Sequence, residues 1–211
     1  MLNPRRLLLA GLLLPSLVLA ASAPEREAYA KFRAHFPRGG ALMVFTSSHD
    51  ENSWAGTEFD RMGAGYAPFA VLTFLLDGVP MIYNGQEVGL DRRLEFFERD
   101  PIVWPKETHP TTKLYQVMTK LRREHPALHT GAPMRRLDTT DNATFYAVER
   151  SAAGKKVVGL FNLTPKDAKA DLFDPALAGR WRDAFTGESV TLDALVPLNL
   201  KAWRYRVLVS E

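Results

Sequence analysis

The stretch Phe45-Thr46-Ser47-Ser48-His49-Asp50 decides how this sequence folds. It closes a short apolar run, Ala41-Leu42-Met43-Val44-Phe45, that follows Gly39-Gly40. An uninterrupted apolar run bounded by glycine reads as a buried strand. This one ends in small polar residues and then in the His49-Asp50 pair. A second run, Gly78-Val79-Pro80-Met81-Ile82-Tyr83, ends in Asn84-Gly85-Gln86-Glu87. A helical stretch lies between them. Strand, helix, strand, with polar side chains at the strand C-termini, is how a (β/α) barrel presents its active site.

The helix between the strands is predicted over residues 59–76. Ala67, Phe69, Ala70, Val71, Leu72, Phe74 and Leu75 are almost unbroken by charge, so it demands burial on more than one side. Glu51 to Glu58, just before it, reads as a solvated polar loop. After Glu87, the charged segment Asp91 to Asp100 and then Pro101, Trp104 and Pro105 read as a long loop on the face of the strand ends. Leu114, Val117, Met118 and Leu121 have helical spacing and predict a helix from Lys113 to His125. Thr111 or Thr112 is its expected cap, and Pro126 ends it. Upstream, Ala28, Phe32 and Phe36 predict a helix over Pro24 to Phe36.

Near Gly131 the texture changes. Short β-type runs follow: Met134 to Leu137, Thr144 to Arg150, Lys156 to Leu163, Trp181 to Phe185, Ser189 to Leu192 and Ala202 to Val209. Turn residues such as Ala153-Gly154 and Thr186-Gly187 separate them. Strands at this spacing predict an antiparallel sandwich.

Composition bounds the function. Of 211 residues, 46% are hydrophobic and 24% charged, as in ordinary globular chains. The formal charge is +3. Without Arg5 and Arg6, the 27 basic residues become 25 against 24 acidic ones. A near-neutral chain gives no reason to expect a nucleic-acid partner. There is no cysteine, which excludes disulfides, thiolate metal sites and cysteine nucleophiles. Arg5-Arg6 followed by the apolar run Leu7 to Ala20 reads as a secretory signal, cleaved after Ala20. A secreted or periplasmic location is therefore expected.

The motifs become specific together. Phe45 to Asp50, then Gly78 to Glu87, then Leu121-Arg122-Arg123-Glu124-His125-Pro126-Ala127-Leu128 resemble the α-amylase family, glycoside hydrolase family 13. The first resembles the family's signature at the end of barrel strand seven, the second its strand-eight motif, and the third its last barrel helix. The β-rich tail is similar to the family's C-terminal domain. The resemblance implies an α/β plus all-β fold. Its parts are the last two β/α units of an incomplete TIM barrel and an antiparallel β-sandwich C-terminal domain. The implied division is a signal peptide over 1–20, a truncated barrel remnant with strands seven and eight over 21–130, and the sandwich over 131–211.

The same resemblance implies a retaining glycoside hydrolase parent acting on α-glucosidic bonds of starch or maltodextrin. Asp50 corresponds to the carboxylate that stabilises the transition state. His49, Asp50 and Tyr83 are the implied substrate-binding residues. The family places asparagine before the His-Asp pair, where this chain has Ser48. Retention also needs a nucleophile and an acid/base about 5–5.5 Å apart. The family carries these on strands four and five, which this sequence has no room for. This chain is therefore expected to be inactive alone. The alternatives are a non-catalytic carbohydrate- or partner-binding remnant, and a piece that completes a barrel supplied by another chain.

The expected partner is an α-glucan or maltooligosaccharide, and self-association through exposed barrel edges is expected too. No cofactor or metal is implied by ligand spacing, although acidic loops of the family can hold calcium. Trp54, Trp104 and Tyr83 are candidates for stacking on sugar rings. Trp181 and Trp203 read as sandwich core, and Glu87 as an ordering residue in the loop after the second strand.

Overall fold

A computed structural model describes residues 40–211 of the chain. The signal-peptide reading and the helix expected over Pro24 to Phe36 lie outside the described residues. β1 (Met43–Val44) and β2 (Val79–Pro80) are parallel, with Met43 opposite Val79 and Val44 opposite Pro80. Val79 N donates to Leu42 O at 2.8 Å, and Met81 N to Val44 O at 2.9 Å. This approach requires Gly78: a Cβ there would stand 2.4 Å from Val44 Cγ2 and 2.6 Å from Leu42 O. The reading of a wholly buried first strand is corrected. Val44 turns inward and is buried, whereas Met43 and Val79 are 53% and 48% exposed.

The expected crossover helix is two pieces, α1 (Glu58–Met62) and α2 (Tyr66–Leu75), joined by a 3-10 turn over Gly63–Gly65. Thr57 starts α1 through a capping box. Its Oγ1 accepts from Asp60 N at 3.1 Å, and Asp60 Oδ2 accepts from Thr57 N at 3.0 Å. The solvated loop expected over Glu51 to Glu58 is also corrected. Glu51–Ala55 forms a π-helical turn, and Glu51, Asn52, Thr57 and Glu58 are buried. α3 (Pro110–Glu124) begins before the expected Thr111 or Thr112 cap. The cap is His109, whose Nδ1 accepts from Thr111 N at 3.3 Å, and Pro110 takes the first helical position.

The tail is antiparallel, as the runs predict. Its strands are β3 (Met134–Leu137), β4 (Phe145–Ala152), β5 (Lys155–Asn162), β6 (Ala168–Phe173), β7 (Gly179–Asp183), β8 (Ser189–Leu192), β9 (Leu195–Leu200) and β10 (Tyr205–Ser210). One sheet has the order β3-β4-β5-β10-β7-β8, and β6 pairs with β9. Neither β6 nor β9 is anticipated by an apolar run. Each buries only alternate residues, Ala170 and Leu172 in one, Val196 and Leu198 in the other.

The strand period of two divides the larger sheet between two cores. Tyr146, Val148, Val157, Phe161, Val207 and Val209 face α2 and α3. Phe145, Ala147, Val158, Leu160 and Leu208 face the β6–β9 pair. The sheet is thus a middle layer, with helices on one face and two strands on the other. The sheet thereby gives α2 the burial on more than one side that its sequence demands. Val71, Leu72, Phe74 and Leu75 are all buried, packed with Leu114, Tyr115 and Met118 of α3. Trp181 sits in the second core and donates to Leu177 O at 2.8 Å. Trp203 does not, correcting its reading as sandwich core. It stands in the β9–β10 turn at φ 56°, its ring 6.2 Å from Phe69 of α2.

Arg150 of β4 ties the layers together. It is fully buried, and Nη1 donates to Leu75 O at 3.0 Å and Leu76 O at 2.8 Å. Nη2 donates to His129 O and Ala132 O, each at 3.0 Å. The first pair satisfies carbonyls that the end of α2 leaves open, with a cation at the negative end of the helix dipole.

Candidate active-site face

Past the C-terminal ends of β1 and β2, side chains extend the join that the Met81 N–Val44 O bond begins. Thr46, just past β1, donates from Oγ1 to Glu58 Oε2 at 3.3 Å. Gln86, past β2, donates from Nε2 to that same Oε2 at 2.5 Å and to Thr46 Oγ1 at 2.9 Å. Gln86 Oε1 accepts from Tyr83 N at 2.7 Å. Arg61 closes the cluster from α1. It donates to Thr46 O at 2.6 Å, to Gly56 O at 3.0 Å and to Glu51 Oε2 at 3.5 Å. Glu58 Oε1 is buried and has no hydrogen-bond partner among the described residues. Burial pushes the Glu58 carboxyl above its ordinary value, against the opposing pull of the hydrogen bonds from Gln86 and Thr46.

His49 and Asp50 stand on this base. Both side chains are exposed, 65% and 62%, and His49 Nε2 lies 3.6 Å from Asp50 Oδ1. Ser48 Oγ accepts from Glu51 N at 3.3 Å, so the residue before the pair is buried and turned inward to the chain. Asp50 leads straight into the π-helical turn. Tyr83 is half-buried on the β2 side, where burial pushes its phenol up.

The three carboxylates nearest in sequence to the pair or to the β2 end are engaged. Glu51 is ion-paired with Arg61, Glu58 is buried in the Thr46–Gln86 cluster, and Glu87 Oε2 accepts from Gly85 N at 2.9 Å. The last agrees with the reading of Glu87 as an ordering residue.

The Asp91–Asp100 segment is a loop, as expected, but a clamped one. Asn52 Nδ2 donates to Arg92 O at 3.2 Å, and Asn52 Oδ1 accepts from Leu94 N at 2.7 Å. Ser53 Oγ donates to Leu94 O at 3.0 Å. Arg92 binds both Asp100 oxygens, each at 2.6 Å, and its hydrogen bonds hold that carboxyl down to about 2. The clamp brings Phe96 beside His49, ring centroids 5.6 Å apart, and beside Trp54 at 5.5 Å. Phe97 follows, 4.8 Å from Phe96. Trp54 was singled out in the sequence, but Phe96 and Phe97 were not. Their signal was an apolar pair inside a charged run, where no core periodicity accounts for it. Among the described residues, no three His, Asp or Glu side chains converge as a metal site.

No protein-family model matches the chain. Sequence similarity is nonetheless found to "Alpha-amylase 2" of Dictyoglomus thermophilum, at 27% identity over 162 residues. It is also found to "Alpha-amylase MalA" of Haloarcula japonica, at 28% over 133 residues. The chain is thus similar in sequence to α-amylases. These matches cover 71% and 63% of this chain. The chain spans only 26% and 18% of the length of those two amylases. Solved α-amylase structures share the fold. A maltogenic α-amylase, AmyB of Thermotoga neapolitana, superposes with a TM-score of 0.75 at 15% identity. The superposition covers 96% of this chain and 49% of AmyB. An AmyP variant solved with maltotriose superposes at 0.61 with 13% identity, over 89% of this chain and 44% of AmyP.

Proposed function

We propose that this chain forms one wall of an α-glucan site and binds the sugar without cleaving it alone. The related chemistry is retaining hydrolysis of α-glucosidic bonds in starch or maltodextrin. The observation that carries the reading is the exposed His49-Asp50 pair, held at the end of β1 by a buried polar cluster. A carboxylate with open oxygens accepts hydrogen bonds from sugar hydroxyls, and the imidazole donates to the same ring. Such contacts stabilise the flattened, oxocarbenium-like ring more than the ground-state ring, and so act on the transition state. Tyr83 supplies an aromatic face from the β2 side.

Bond cleavage needs a nucleophile and an acid/base facing each other across the bond. Glu51, Glu58 and Glu87 are each committed to a structural partner, as above. The proposed role of the described residues is therefore binding and transition-state support, with the reacting carboxylates supplied from outside them. The test measures reducing sugar released from starch by the purified chain, together with maltoheptaose binding. The expected result is no release, saturable binding, and about tenfold weaker binding for Asp50→Asn. Release that Asp50→Asn abolishes would overturn the non-catalytic part of the reading; absence of binding would overturn the rest.

Two further parts rest on separate observations. Met43 and Val79 are exposed on β1 and β2, and short parallel strands with open edges favour pairing with another chain. We infer self-association there, checked by sedimentation velocity across a concentration series. A molar mass that stays monomeric would remove this part. Export is inferred from Arg5-Arg6 and the run Leu7 to Ala20, with a mature N-terminus at Ala21 as the expected sequencing result.

A further inference from the structure

We propose that the cavity between the start of α2, the start of α3 and the β9–β10 turn binds a small aromatic anion, a flat ring carrying a carboxylate or sulfonate. The proposal goes beyond the α-glucan reading and does not depend on it. The cavity holds about 480 Å³, within the range of small-molecule sites. Tyr66, Phe185, Trp203 and Tyr205 give it aromatic walls. Lys113 and Arg204 line it too, and both are exposed. Among the described residues that line it, none carries a carboxylate.

The walls are held by their own neighbours. Trp203 stands at φ 56°, a left-handed backbone that a bulky side chain rarely adopts. Its indole lies against bare backbone: a Cβ on Gly65 would stand 3.1 Å from Trp203 Cε3 and Cζ3. Tyr205 is edge-on to Phe185, with centroids 5.4 Å apart, and stacked on Phe161 at 6.0 Å. Tyr66 leans on Phe59 at 4.7 Å. Walls already in place lower the ordering cost of binding, and they take the face of a flat ring. The two cations then decide the sign of the polar group. A carboxylate or sulfonate pairs with them. A neutral sugar leaves both without a counter-charge, and a cationic ring meets two like charges. This balance separates the cavity from the His49-Asp50 face, where an aspartate is exposed.

The test is calorimetry on the full chain with p-toluenesulfonate, its neutral counterpart p-toluenesulfonamide, and maltose as competitor. The sulfonate is expected to bind one to one, about tenfold more tightly than the sulfonamide, and to weaken as salt rises. Lys113→Gln and Arg204→Gln, made together, are expected to weaken the sulfonate about tenfold and leave the sulfonamide unchanged. Trp203→Gly, which suits the left-handed turn, is expected to weaken both about fivefold. Lys120→Gln, exposed on α3 outside the cavity lining, is the control that changes neither. No sulfonate binding, equal affinity for the two ligands, or sulfonate binding indifferent to the charge pair or to a folded Trp203→Gly overturns the proposal. So does displacement of the sulfonate by maltose, which would make the cavity a sugar site. If Trp203→Gly does not fold, the exposed charge pair decides alone. Maltoheptaose binding and its response to Asp50→Asn report on the α-glucan site separately, so either reading can fail without the other.

Discussion

β4 and β5 pair along Phe145 to Ala152, residue for residue, and both faces of that ladder are buried. β1 and β2 share two residue pairs, and their outer side chains are exposed. Yet it is the second, barely laddered region that presents the candidate site. There, position is set by side chains: Arg61, Gln86, Glu58 and Asn52 do what a long ladder does in the sheet. The contrast teaches that the sheet can absorb a lost contact, because many equivalent ones remain. The site cannot, because each bond is the only one of its kind. Arg150 joins the two regions by putting a sheet side chain onto the carbonyls of α2.

The sharpest way to break this comparison is Arg150→Met. It removes four hydrogen bonds and leaves their carbonyls buried in the seam. A loss of about 3 kcal/mol is expected in urea unfolding. Unfolding should also split into two transitions, the sheet outlasting the helices; a single shifted transition would show that the two regions remain one unit. Gly78→Ala should cost about 2 kcal/mol, because the new methyl meets Val44 and the Leu42 carbonyl. It should loosen the site while leaving amide protection in β4 and β5 unchanged by hydrogen exchange.

Acid–base behaviour separates the regions further. The Glu58 carboxyl is raised in the folded chain, so the folded state keeps a proton that the unfolded state has lost. Its favourable contribution is complete below the ordinary glutamate value and is lost as pH rises through the folded value. Glu58→Gln should flatten that part of the stability–pH profile, measured by thermal unfolding from pH 4 upward. A profile unchanged by the substitution would remove Glu58 as its source. The Asp100 carboxyl has the opposite sign. It is held at about 2 by Arg92, so the clamp is intact above the ordinary aspartate value. It weakens as pH falls toward about 2. The smallest expected effect is therefore local: Trp54 fluorescence should change over that acid window before the sheet melts, and Asp100→Asn should show the change already at neutral pH.

Local signals in the sequence carried much of the architecture. Two apolar runs bounded by glycine marked β1 and β2, an unbroken apolar helix demanded cover, and β-type runs after Gly131 announced antiparallel strands. The placement of the His49-Asp50 pair past the end of β1 was legible because a strand end followed by a crossover is a matter of chain order. These are properties of residues close together in the chain, which periodicity and turn chemistry report directly.

What only the tertiary structure decided depends on residues far apart. It paired Asn52 with Leu94 and Gln86 with Glu58, which turned a stretch read as a solvated loop into a buried base and a long charged loop into a clamped rim. It brought Phe96 to Trp54, drew Trp203 out of the sandwich core, and placed α2 under the sheet. Hydrophobic cover and hydrogen-bond partners are not directional along the chain. A buried glutamate or an exposed phenylalanine is therefore specified by whatever packs against it, and nothing within a few residues of Glu58 or Phe97 names that neighbour.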